Sequence, residues 1–85
     1  MTEVMVDIGP KILEIRHARL LDQRGLARRA GISDKALRDI EQGKTRTPRR
    51  VHVEGIAREL GVDPLDLANP ALTAVQVLRR AEQSR

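Results

Sequence analysis

The stretch Gln23-Arg-Gly-Leu-Ala-Arg-Arg-Ala-Gly-Ile-Ser-Asp-Lys-Ala-Leu-Arg-Asp-Ile-Glu-Gln42 decides how this chain folds. Asp22, just ahead of it, is a good N-cap, and Leu26, Ala27 and Ala30 recur at helical spacing until Gly31 stops the run. Ser33 is the next N-cap, with Leu37 and Ile40 on one face of a second helix that ends at Gly43. Two helices crossing at a sharp angle need a small residue where they touch, and Ala27 fits. The tight turn between them needs a residue free to adopt positive φ, and Gly31 fits. Leu26, Ala30, Ile32, Leu37 and Ile40 then supply a shared core. Each requirement is common singly; all of them in order within one short segment make a specific signal.

Outward from this pair the chain continues as short helical pieces punctuated by Gly and Pro. Upstream, Ile8, Ile12 and Ile15 share a helical face, with Pro10 in the first turn where it is tolerated. Downstream, residues 44–47 read as a basic loop. Pro48 is expected to open a fourth helix along Val53, Ile56, Ala57 and Leu60, closed by Gly61. Pro64 to Leu67 reads as one short turn. Asn69-Pro70 has the N-cap and first-position pattern of a last helix reaching Gln83. Gly25 and Gly55, inside helices, each predict a local cost of about 1 kcal/mol against Ala. The expected organisation is an N-terminal arm at 1–8, a helix-turn-helix unit at 9–68 and a C-terminal helix at 69–85.

Composition narrows the class. The 85 residues suit one small domain, and Cys, Phe, Trp and Tyr are all absent. A disulfide framework and thiolate metal sites are excluded, and the core must be aliphatic. The aromatic stacking platforms usual in single-strand and RNA binders are missing as well. No apolar run approaches the ~18–20 residues that span a bilayer, and the first ten residues lack the order of a signal peptide. A cytoplasmic protein without membrane contact is expected. The net charge is +4, but between Asp22 and Arg50 nine Lys or Arg face only four acids. The basic excess is concentrated in that third of the chain, as a phosphate-facing surface requires.

With these residues in view, the chain resembles the phage repressor/Cro-type, or lambda-repressor-like, helix-turn-helix family. Leu21-Asp-Gln23 is similar to the family's start of helix 2, Ile40-Glu-Gln-Gly-Lys44 to its end of helix 3, and Leu60-Gly61-Val62 to the end of helix 4. The resemblance spans Ile8 to Leu67. It implies an all-α fold, a five-helix DNA-binding domain, here with an additional C-terminal helix. Arg50 stands where many relatives carry an apolar residue, and Leu20 where many end helix 1 with glycine.

Helical geometry at about 100° per residue turns Lys35, Arg38, Asp39 and Gln42 away from Leu37 and Ile40, with Asp34 at the leading end of the helix. On an unremarkable helix these would be solvated surface. In this motif they are candidates for base edges, because Arg and Lys donate to guanine and carboxylates accept from cytosine. Asp34 and Asp39 would also repel phosphates and unsuitable bases. The resemblance further implies a phosphate contact for Gln23 at the start of helix 2, backbone contacts from Lys44, Thr45 and Arg46, and a minor-groove reach for Arg49. Arg24 and Ser33 complete the set of DNA-binding candidates. It also implies that Glu41 pairs with Arg16, a structural role.

His17 and His52 sit on separate helices without a paired carboxylate, and no phosphate-cradling glycine loop or nucleophile motif occurs. No catalytic activity, cofactor or metal is expected. The leading expectation is a transcriptional regulator, a repressor, binding a near-palindromic double-stranded operator as a homodimer whose recognition helices sit ~34 Å apart. Ala71, Leu72, Ala74, Val75, Val77, Leu78 and Ala81 cover an arc of roughly 220° on the last helix. That arc is wide enough both to pack on its own domain and to meet a partner. The alternative expectation is an antitoxin-like module that neutralises a partner protein and also binds DNA.

Overall fold

Local signals set most helix ends in the computed structural model, which describes residues 8–83. In order the helices are α1 (Ile8–Ala18), α2 (Gln23–Ala30), α3 (Asp34–Glu41), α4 (Arg50–Leu60), α5 (Pro64–Ala68) and α6 (Ala74–Gln83). No strand occurs among the described residues. The expected arm at 1–8 lies outside them but for Ile8, which is already buried in α1.

The two central helices are capped as the sequence predicts. Asp22 accepts from the Gly25 N–H at 3.0 Å, and Ser33 accepts from the Ala36 N–H at 3.0 Å. Between them Gly31, at φ 78°, lets Ile32 N–H return to the Ala27 carbonyl at 3.0 Å, closing α2 in a left-handed cap. Helix α1 ends the same way but with Leu20 at φ 59°. Its side chain is 92% exposed, so no packing offsets the strain of that backbone region.

Two boundaries differ from the sequence expectation. Helix α4 starts at Arg50, not Pro48: Arg49 keeps an extended backbone, and its carbonyl takes the first helical bonds from His52 and Val53. Helix α6 starts at Ala74, not after Asn69. Thr73 and Gln76 form a reciprocal capping box, with Gln76 N–H donating to Thr73 Oγ1 and Thr73 N–H to Gln76 Oε1. Asn69 instead caps the end of α5 and folds Ala71 back onto its own side chain at 2.9 Å.

The core is aliphatic throughout: Ile12, Ile15, Leu26, Leu37, Ile40, Ile56, Leu60, Leu67 and Val77 are essentially inaccessible. Helix α2 packs against α3 and α4, and α1 against α3, α5 and α6. Helix α6 completes this core with Ala74 and Val77, while Leu72, Leu78 and Ala81 are half-buried against it and Val75 stays exposed. Most of the wide apolar arc is therefore used within the domain.

Close helix approach explains Gly55, read from sequence as a defect. A Cβ there would stand 2.7 Å from the Ala30 carbonyl oxygen, so α4 seats its backbone on the end of α2. Gly9 does the same for α1 on the carbonyls of Ile40 and Glu41 at the end of α3.

These positions give opposite expectations. Gly55→Ala should destabilise by about 1–3 kcal/mol despite alanine's better helix propensity, because backbone must move. Leu20→Gly should stabilise by about 0.5–1 kcal/mol, since left-handed strain is relieved and no burial is lost. Thermal denaturation of the two variants beside the parent checks both signs.

Candidate nucleic-acid interface

Helix α3 has eight residues, and its pattern fixes its orientation. Leu37, Ile40 and Glu41 are buried, so Lys35, Arg38 and, just past its end, Gln42 are turned to solvent, with Asp34 and Asp39 half-buried at the flanks. Ser33 spends its hydroxyl on the cap. Both acids on this face carry a cation. Lys35 Nζ donates to Asp39 Oδ2 at 2.8 Å, one turn apart, and Arg24 Nε lies 3.3 Å from Asp34 Oδ2 across the α2–α3 turn. The hydrogen bond from Lys35 holds the Asp39 carboxyl below the usual carboxylate range. That pairing persists above the ordinary carboxylate pKa and is lost only as pH falls through the lowered one. Arg38 and Gln42 have no side-chain partner among the described residues, which leaves their donors available to a groove.

The loop after α3 is fastened to it. The Asp39 carbonyl accepts from Lys44 N–H at 2.9 Å and from Thr45 N–H at 3.2 Å. Lys44 and Arg46 are exposed, as is Arg49 at the start of α4, and Thr45 is half-buried. The loop thus presents its cations from a fixed backbone beside the outward face of α3, an arrangement that suits phosphate contact.

The pair implied for Arg16 and Glu41 is present and buried. Arg16 Nε donates to Glu41 Oε2 at 2.8 Å and Nη2 to Oε1 at 3.2 Å, the two residues being 8% and 7% exposed. Arg16 Nη1 also donates to the Leu21 carbonyl at 3.0 Å. Gln23, the first residue of α2, donates its side-chain Nε2 to Glu41 Oε1 at 2.9 Å. Sequence reasoning placed Gln23 beside a phosphate and did not join it to this network. No local spacing links residues 23 and 41. The Arg24–Asp34 contact was missed for the same reason.

A family model described as a helix-turn-helix domain matches residues 11–69. The chain belongs to this helix-turn-helix family. Its match runs from within α1 to just past α5 and does not include α6. No curated protein and no solved structure matches the chain. A helix-turn-helix domain is a DNA-binding unit, and α2 and α3 form its helix pair. Among the described residues no helix is long and apolar enough to cross a membrane, and no group of three His, Cys, Asp or Glu stands together as metal ligands.

Within this helix-turn-helix domain Glu41 serves structure. Glu41→Gln removes the countercharge of a buried guanidinium and should destabilise by about 3 kcal/mol or more. Urea denaturation checks the loss. Unchanged stability with an altered DNA preference would instead place Glu41 in readout.

Proposed function

We propose that this protein is a non-enzymatic, sequence-specific regulator of transcription, a repressor of the lambda-repressor-like kind, that inserts α3 into the major groove of double-stranded DNA. The observation that carries the reading is the arrangement around α3: unpartnered Arg38 and Gln42 point outward, beside a basic loop held to the Asp39 carbonyl. Rigid base-reading donors and adjacent phosphate-binding cations are what specific binding needs. Lys44, Arg46 and Arg49 grip backbone in this reading, and Arg38 reads a base. Two copies on a near-palindromic operator would set their recognition helices about one DNA turn, ~34 Å, apart. Support for the dimer is Val75, which remains half exposed on α6 after the other apolar residues of that helix turn to their own core.

Selection of bound duplexes from random sequence, followed by salt titration, tests the reading. Arg38→Ala should cost about 1–3 kcal/mol on the selected site and relax one base position. Lys44→Ala and Arg46→Ala should weaken all sequences alike and reduce the salt slope by about one each. A consensus unmoved by Arg38→Ala would remove readout from α3.

The dimer has a separate check. Sedimentation at micromolar concentration should show a dimer for the parent and a folded monomer for Val75→Asp. A monomeric parent that still binds the full palindrome as one copy would overturn it.

A further inference from the structure

Arg24 and Asp34 are the first-turn residues of two different helices, brought together by the α2–α3 turn, with Arg24 Nε 3.3 Å from Asp34 Oδ2. Their side chains are 77% and 46% exposed, so neither is held by core packing. An ion pair this exposed adds little to stability. Its effect is on direction. A carboxylate seated at Nε leaves the two terminal nitrogens of the guanidinium as an outward fork, the donor geometry that matches O6 and N7 of guanine. Lys44, Arg46 and Arg49 have no carboxylate partner among the described residues, as befits groups that meet phosphates. Arg50 and Arg58 pair within α4, and Arg80 pairs with Asp66 of α5. Among the described ion pairs, only Arg24 is tied to the leading residue of the recognition helix.

Resting on the DNA reading above, we propose that Arg24 is a specificity-determining residue that reads a guanine in the major groove, and that Asp34 is its positioning residue. Asp34 keeps the guanidinium from swinging to the nearest phosphate, because the swing would leave its own carboxylate unpaired beside the DNA backbone. The arrangement puts one base contact on α2, ahead of those made by α3.

The test uses the full chain and the duplex it selects, with guanine replaced by adenine or 7-deazaguanine at each position in turn. The parent should discriminate against both replacements by about tenfold or more at one position of the half-site. Arg24→Ala and Arg24→Lys should erase that preference, the second because an ammonium cannot make the paired contact. Asp34→Asn should weaken the same preference while affinity for unrelated duplex holds or rises, and Asp34→Asn should add nothing once Arg24→Ala is present. Melting temperatures of all variants confirm that each is folded. Uniform loss for Arg24→Ala with an unchanged consensus would make Arg24 a phosphate contact and overturn the proposal. So would an Asp34→Asn variant that loses stability but keeps its base preference, since Asp34 would then serve only the start of α3. If the parent selects no duplex at all, the DNA reading fails and takes this assignment with it.

Discussion

The carboxylate of Glu41 receives donors from Arg16 on α1 and Gln23 on α2, while Arg16 also holds the carbonyl of Leu21. The end of α3, the last turn of α1 and the start of α2 are thereby fixed at one buried point. Removing two charges from water is expensive, and the attraction between them offsets that cost only when hydrogen bonding is nearly complete. Among the described residues no buried side-chain polar atom lacks a partner. The network therefore supplies orientation more than net stability. An apolar contact could slide along a helix, whereas a two-point guanidinium–carboxylate contact admits one register. The pose of α3 depends on that register.

Helix approach supplies the second constraint. Without aromatic residues the core has only branched aliphatics and alanine to fill it, so the helices must come close. Gly9 and Gly55 allow this where α1 meets the end of α3 and α4 meets the end of α2. Both contacts are backbone against backbone, which fixes the helix-turn-helix pair from two sides. The strained Leu20 at the α1–α2 turn is the exception to this economy, because its side chain packs on nothing.

On the outward face of α3 and the loop after it, charge is sorted by partner. Asp34 and Asp39 are each matched by a cation, so the outward face of α3 shows no bare carboxylate. Arg38, Lys44, Arg46 and Arg49 keep their donors. The basic excess between residues 22 and 50 thus resolves into cations held by carboxylates, Arg24, Lys35 and Arg50, and cations without one. Composition alone gives only the sum.

Where interactions run between near neighbours in the chain, the sequence by itself determined the outcome. Asp22 and Ser33 cap their helices, Gly31 turns the chain, and the apolar spacing names Leu26, Leu37, Ile40, Ile56 and Leu60 as core. All of these follow from bonds and faces repeating within four residues. The exposure of Lys35, Arg38 and Gln42 was legible for the same reason, and the Arg16–Glu41 pair was legible only through family resemblance. Tertiary structure decided the rest. Residues 49 and 73, not Pro48 and Asn69, launch α4 and α6; at Thr73 the reciprocal cap was present in the sequence, but Asn69-Pro70 offered a rival start. Packing of Ala74 and Val77 onto the core accompanies the later one. Gly55 turned from a helix defect into a contact, Gln23 turned toward Glu41, and Arg24 met Asp34. Each of these three joins different helices, and their meeting depends on crossing geometry that the local pattern of neither helix contains.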